Sequence, residues 1–218
     1  MPHESSAVMP GITVVGTGTA SAAPDVLRLD LGAEVLGRNP QQALTEAGQA
    51  LERMRTELTN AGIPTADLAS GTISLWPRYE DKGKITGYSA ELRMTARIRD
   101  LDQAGALISR VVGAGGEPAR LHGLTFEHSQ PAGLLAIARE AAWRDAEATG
   151  RQYAALAGRE LGPVQAVTET PVDGPVVPVL RTAMFAAEAV PIEPGVSAVT
   201  VRVQVCYAIA GPPQNPQE

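Results

Sequence analysis

Four consecutive residues, Phe126 to Ser129, place a carboxylate, an imidazole and a hydroxyl side by side. An acid, a base and a nucleophile are the parts of a hydrolase triad. Successive residues of a strand point to opposite faces, so Glu127 and His128 cannot address one substrate without a bend. We favour the interpretation that His128 ends a strand and Ser129 caps the following helix. We therefore assign no catalytic residue.

A second candidate motif is VVGTGTASAAPDV, residues 14–26, which begins as a phosphate-binding loop often does. A dinucleotide site needs a third glycine and a following helix, and a Walker site needs Gly-Lys-Ser/Thr. Here Ser21 stands at the third glycine position, and the next residues alternate apolar and polar as in a strand. The motif predicts a glycine-containing strand that folds back into the next strand, and no cofactor.

The residues that could bind a metal are too dispersed to converge. His3 lies in the N-terminal tail, Cys206 is remote, and His122 and His128 would lie about 20 Å apart on one strand. We predict no metal site. Cys206 is the only cysteine, so no internal disulfide can form, and we expect it to pack as a small buried hydrophobe.

Aromatic residues on two neighbouring strands leave one ligand site open as an alternative. Trp76 and Tyr88 could form a platform, and together with His128 they could line a pocket of a small-molecule-binding protein or a hydrolase. Such aromatic residues more often stabilise cross-strand pairs.

The composition excludes several classes of protein. The chain has 218 residues, of which 44% are hydrophobic and 4% aromatic, with a formal charge of −6. This acidic balance argues against a nucleic-acid partner, and no apolar stretch approaches the length of a membrane span. The first eleven residues lack the pattern of a signal peptide, so we expect a cytoplasmic protein.

The order of helix and strand patterns predicts an α+β fold, a mainly antiparallel sheet formed by hairpins with helices packed on one face. Asn39 and Pro40 mark the start of a first helix, and Asp100 the start of a second. A long alanine-rich helix is expected over about 131–161. The remaining segments alternate as strands.

A proline-rich segment, residues 171–195, interrupts this order before the last strand. Its five prolines cannot sustain a helix or a central strand. Because the segment is nevertheless apolar, we expect it to be covered by a neighbouring subunit. The candidate residues for self-association are Val179, Leu180, Met184 and Phe185.

Several short motifs, taken in order, resemble the SIMPL-domain family of YggE-like proteins. They are Pro24-Asp25 after the glycine strand, Gly62-Ile63 at a helix end, Thr86-Gly87-Tyr88 in a hairpin arm, and Pro194-Gly195 before the last strand. The resemblance covers nearly the whole chain. It implies a bacterial protein without known enzymatic activity, a link to stress, and homo-oligomers in some members. Many bacterial members carry a signal peptide, and we expect none here because the first eleven residues do not show that pattern.

Together these observations predict one SIMPL-like domain over residues 12–211, between flexible tails at 1–11 and 212–218. We expect a non-enzymatic protein that acts through homo-oligomerisation and protein contacts, with itself and a protein client as partners. We expect no cofactor.

Overall fold

The computed structural model describes residues 11–80, 83–170 and 194–209. Within these residues the chain forms seven strands, three α-helices and one 3-10 turn. In chain order they are β1 (Gly11–Ala22), β2 (Val26–Gly37), α1 (Pro40–Asn60), the 3-10 turn (Thr65–Asp67), β3 (Leu68–Tyr79), β4 (Ile85–Ile98), α2 (Ala104–Gly115), β5 (Ala119–Glu127), α3 (Pro131–Leu156), β6 (Leu161–Thr170) and β7 (Ser197–Ile209).

The strands form two antiparallel sheets, which confirms the predicted α+β class. The described chain divides into two compact units. One contains residues 24–129 together with 194–195, and the other contains residues 11–23, 130–170 and 196–209.

The unit of residues 24–129 has a four-stranded sheet in the order β3-β4-β2-β5, with α1 and α2 against one face. Apolar residues at every second position of β2 and β4 lie on that face, because a strand alternates its side chains. They pack with one stripe of each helix. The largest fully buried side chains of this core are Leu27, Leu29, Leu31, Met54, Leu58, Ile98, Ile108 and Val111.

The two helices of this unit begin differently from each other. The side chain of Asn39 accepts a hydrogen bond from the Gln42 N–H at 2.9 Å, and Pro40 follows it, as predicted for α1. The second helix begins at Ala104, four residues later than expected. Asp100 instead accepts from the Gln103 N–H at 3.2 Å, so it stabilises a turn ahead of α2.

The other unit has a three-stranded sheet in the order β1-β7-β6, with α3 packed on one face. The predicted fold-back of β1 onto β2 is wrong, because β1 pairs with β7 along its whole length, from Gly11↔Ala208 to Ala22↔Ser197. Pairing between distant strands is decided by side-chain burial rather than by the short connection. The buried residues of this core are Val14, Ala20, Leu134, Ala138, Ala142, Ala146, Val201, Val203, Val205 and Tyr207.

The long alanine-rich helix α3 is shorter at its C-terminus than expected. It ends at Leu156, and Gly158 takes a left-handed conformation with φ of 64° that turns the chain toward β6. The prediction that Ser129 caps this helix is wrong. Gln130 occupies the capping position and makes no side-chain cap bond.

Candidate functional site

The acid, imidazole and hydroxyl of residues 127–129 do not form a triad. Glu127 forms ion pairs with Arg28 at 3.8 Å and with Arg97 at 3.5 Å. The Ser129 hydroxyl and backbone N–H both donate to Asp25, the latter at 2.7 Å. The Ser129 hydroxyl therefore donates to a carboxylate, which is not the serine–histidine contact of a triad.

The contact with Ser129 changes the pKa of Asp25. The Ser129 hydroxyl, and then its backbone N–H, lower the pKa of Asp25 below its ordinary value because both donate to the ionised carboxylate. Asp25 immediately precedes β2, and Ser129 lies two residues after the end of β5. The carboxylate thus ties together the two ends of residues 24–129.

The structure does not bring Trp76, Tyr88 and His128 together. Tyr88 pairs with Gly37 at one end of β2, whereas Glu127, next to His128, pairs with Val26 at the other end. These partners lie eleven positions apart on one strand (26 to 37), which corresponds to about 35 Å. No shared pocket can form over that distance, so the alternative ligand site loses its geometric basis.

The glycines of the GTG motif allow the close approach of a helix. Gly16 and Gly18 face α3 in β1, and a Cβ on either would overlap backbone atoms of Ala142. The α3 residues at this contact, Ala138, Ala142 and Ala146, are fully buried. A strand that is covered by a helix cannot present its amides to a phosphate, so this geometry agrees with the prediction of a glycine-containing strand.

The predictions for the self-association residues and for Cys206 remain to be compared with the structure. The candidate self-association residues Val179, Leu180, Met184 and Phe185 lie outside the described residues. Cys206 is only partly buried, and its thiol lies 3.6 Å from the Gln165 side-chain oxygen. It lies on the sheet face opposite to the one that carries the buried valines of β7.

Sequence reasoning missed a β-bulge that places an imidazole over the open face of the four-stranded sheet. Asp30 pairs with Gly123 and Leu31 with Leu121, so His122 is the extra residue of β5. A Cβ on Gly32 would lie 2.5 Å from the His122 Nε2, so only glycine leaves room for the ring. The isolated Gly32 in an alternating strand was the sequence signal for this close approach.

The bulge brings His122 next to the mostly buried carboxylate of Glu91. The Glu91 Oε1 lies 3.0 Å from the His122 Nε2 and accepts a hydrogen bond from Arg93 at 2.8 Å, and only 14% of the Glu91 side chain is exposed. Paired charges of this kind fix the positions of side chains on the open face.

A second carboxylate extends the same network. Glu34 accepts hydrogen bonds from the Ser89 hydroxyl and from Arg120, each at 3.2 Å. Ser89 therefore donates to a carboxylate rather than to His122, and no serine–histidine pair forms here. The network can position groups, but it supplies no activated nucleophile.

The edge strand β3 carries several large exposed apolar side chains. Ile73 is 67% exposed, Leu75 37% and Trp76 51%. Ile73 and Leu75 pair with Leu92 and Ala90 of β4, and Ala90 is fully buried. Since paired residues share a face, this apolar surface continues the helix-covered face beyond the reach of α1, which lies mainly over β2 and β4.

Two absences apply to the part of the chain that the structure describes. In that part of the chain, no group of three or more His, Cys, Asp or Glu residues is placed to hold a metal ion. None of the helices formed by those residues has both the length and the apolar character that crossing a membrane requires.

Comparison with known proteins yields one family and several relatives. The model of the SIMPL family, described as a protein of unknown function (DUF541), matches residues 12–207. The chain is 29% identical over 212 residues to the 26 kDa periplasmic immunogenic protein of Brucella melitensis, covering 91% of this chain and 84% of that protein. It is 26% identical over 186 residues to the uncharacterized protein YggE of Escherichia coli (strain K12), covering 84% and 74% respectively.

These relatives correct one expectation from the sequence. We expected a cytoplasmic protein, and this expectation is wrong, because the Brucella melitensis and Brucella abortus relatives are both named as periplasmic. A single cysteine cannot form an internal disulfide in any compartment. It therefore carried no information about location.

Proposed function

The chain belongs to the SIMPL family, and we propose that it acts without catalysis, by associating with copies of itself and with other proteins. The observation that carries this proposal is the edge strand β3: its outer backbone edge has no strand partner among the described residues, and it carries exposed apolar side chains. The matched relatives are named as immunogenic or uncharacterised proteins, without a named activity.

Among the strands that the structure describes, β3 has a backbone partner on one side only. It pairs with β4 and ends the sheet order β3-β4-β2-β5. An edge of this kind presents unpaired N–H and C=O groups to any second strand. Natural edges are protected by prolines, charges and bulges, and β3 has such features at Gly71, Pro77 and Arg78. The central residues 73–76 lack them.

Two copies of β3 can meet by extending their sheets. An antiparallel pairing of β3 with β3 is self-complementary, as a two-fold interface requires. Ile73 and Leu75 of each copy then lie on one face, where they cover one another and lose contact with water. Burial of each such side chain contributes about 1.5–3 kcal/mol, so the apolar pair supplies the affinity and the backbone bonds set the register.

The proposal includes two parts that rest on the sequence alone. Val179, Leu180, Met184 and Phe185 are proposed to add to the association surface because they make an otherwise proline-rich segment apolar. A protein client and a role in stress are proposed from the family resemblance.

The mass of the protein in solution tests the association. We expect light scattering after size-exclusion chromatography to give a multiple of 22.7 kDa at micromolar concentration. The double variant Ile73→Lys/Leu75→Lys should reduce this mass, because charges on adjacent strand edges repel. Both side chains are exposed, so the fold should persist in circular dichroism.

A matched control separates the β3 edge from general surface charge. Ile137 of α3 is 59% exposed, and Ile137→Lys should leave the mass unchanged. A monomeric wild-type protein would contradict self-association. An oligomer that survives the β3 double variant and dissociates in Met184→Asp/Phe185→Asp would move the surface to the proline-rich segment.

A further inference from the structure

We propose that the open face of the four-stranded sheet binds an amphipathic oxyanion, a carboxylate or phosphate monoester attached to an apolar group, between Arg38 and Arg78. This site goes beyond the proposed association through β3. It lies at the end of the sheet that carries the hairpin between β3 and β4.

The two arginines flank a glycine. Arg78 of β3 pairs with Gly87 of β4, and Arg38 directly follows Gly37, the partner of Tyr88. The order across the sheet is therefore Arg78, Gly87, Arg38. Neighbouring strands are about 4.8 Å apart, so the outer two backbones are separated by about 10 Å. A cavity of about 240 Å³ lies between them, and both arginines and Gly87 line it.

The floor of this cavity is backbone because the residue between the two arginines is Gly87. A Cβ on Gly87 would lie 2.9 Å from the carbonyl oxygen of Gly37. The position therefore has no room for a side chain, and the backbone stays open between the two guanidinium groups. A planar guanidinium donates two parallel hydrogen bonds to a carboxylate or phosphate, so two of them can clamp one oxyanion.

Neither Arg38 nor Arg78 forms an ion pair with another described residue. The carboxylates two rows further along this face are occupied: Glu34 accepts from Ser89 and Arg120, and Glu91 from Arg93. Helix α1 begins close by, and its first turn contains no acidic residue. An anion is thus the expected occupant at this end of a chain whose formal charge is −6.

The row of side chains next to the arginines indicates that the ligand also carries an apolar group. Trp76, Ser89 and Leu36 pair across β3, β4 and β2, so they share the open face, about 7 Å from the arginine row. Trp76 is 51% and Leu36 59% exposed. An apolar tail that runs from the oxyanion over Ser89 would lie between these two side chains and remove both from water.

Fluorescence of a single tryptophan tests the site in the full chain. Trp143 lies in α3, so Trp143→Phe leaves Trp76 as the only reporter. We expect saturable fluorescence changes with phenyl phosphate and with 4-phenylbutyrate, and weaker binding of inorganic phosphate. The uncharged 4-phenylbutanol should not saturate. The ratio between the first two probes tells which head group the arginines prefer.

Matched substitutions assign the binding to the arginine pair. Arg38→Gln or Arg78→Gln should each weaken phenyl phosphate about tenfold, the loss expected for one charge-assisted hydrogen-bonded contact. Leu36→Ser should weaken phenyl phosphate and leave inorganic phosphate unchanged. Arg159→Gln makes the same charge change at an exposed site in the other unit and should have no effect.

Three results would overturn the proposal. They are the absence of saturation with both aryl anions, equal binding of 4-phenylbutanol, and a loss in Arg159→Gln as large as in Arg78→Gln. Circular dichroism of each variant shows whether a loss of binding reflects a loss of fold.

Discussion

Replacing Gly16 or Gly18 with alanine should destabilise the unit that contains β1 and α3. A Cβ on Gly16 would lie 2.5 Å from the backbone nitrogen and 2.7 Å from the Cβ of Ala146, where ordinary contact begins at 3.4 Å. A Cβ on Gly18 would lie 2.8 Å from the carbonyl carbon of Ala141. Because most of these atoms are helix backbone, a change of side-chain rotamer cannot relieve the overlap. The helix and the strand must separate by about 1 Å.

The cost follows from what that separation exposes. A gap of roughly 0.5–1 Å forfeits about a quarter to a half of the contact energy of the atoms along it. Those atoms belong to the fully buried face of Ala138, Ala142 and Ala146. Overpacking of this kind typically destabilises a protein by about 1–3 kcal/mol. Alanine also lowers the conformational entropy of the unfolded chain relative to glycine, which stabilises the folded state by about 0.5 kcal/mol. We expect a net loss of about 1.5 kcal/mol for each substitution.

Urea unfolding measured by tryptophan fluorescence isolates this unit. The chain has two tryptophans, and Trp76→Phe leaves only Trp143 of α3 as a reporter. With a slope of about 1 kcal/mol per M, the midpoint should fall by roughly 1.5 M. Gly133 lies in the same helix with open space at its Cβ position, so Gly133→Ala should leave the midpoint unchanged or raise it. Equal midpoints for Gly18→Ala and Gly133→Ala would refute the close-approach argument.

Three other perturbations have defined outcomes. Tyr207→Phe should raise the stability of the same unit by about 1 kcal/mol in urea unfolding, because the Tyr207 hydroxyl is buried without a hydrogen-bond partner among the described residues and burial raises its pKa. Leu29→Ala should cost about 3 kcal/mol in the unit of residues 24–129, measured through Trp76, because Leu29 is fully buried in its core. Ser129→Ala should raise the pKa of Asp25 in an NMR titration. Since the folded pKa is lowered, the stabilisation is present above the unfolded value of 3.8 and is lost as the pH falls through the folded pKa. The difference in stability between wild type and Ser129→Ala should therefore shrink below about pH 4.

Local signals predicted the elements whose stability is decided locally. Asn39 and Pro40 begin α1 as expected, because a side-chain cap and a fixed φ act within one turn. The alternation in β2 likewise predicted a half-buried strand. The α+β class follows from the order of such elements.

The pairing of β1 was not predictable in the same way. A short connection to β2 favours a hairpin, but β1 pairs with β7 at the far end of the described chain. Likewise Ser129 has a good capping residue type, yet its hydroxyl donates to Asp25, 104 positions earlier. In both cases a distant partner competes with a local one, and a single sequence does not reveal which wins.

Glycines inside the strands nevertheless indicate close contacts that we did not predict from the sequence. Gly16 and Gly18 admit the backbone of α3, and Gly32 admits the ring of His122. In an alternating strand, each such glycine weakens the strand unless something approaches it closely. The sequence therefore indicates where close approaches occur. It does not indicate what approaches, because an alanine-rich helix and a bulged histidine both come from more than 80 positions away. The same reasoning applies to Gly87, where the backbone floor lies between two arginines and the approaching group in our proposal is a ligand rather than another part of the chain.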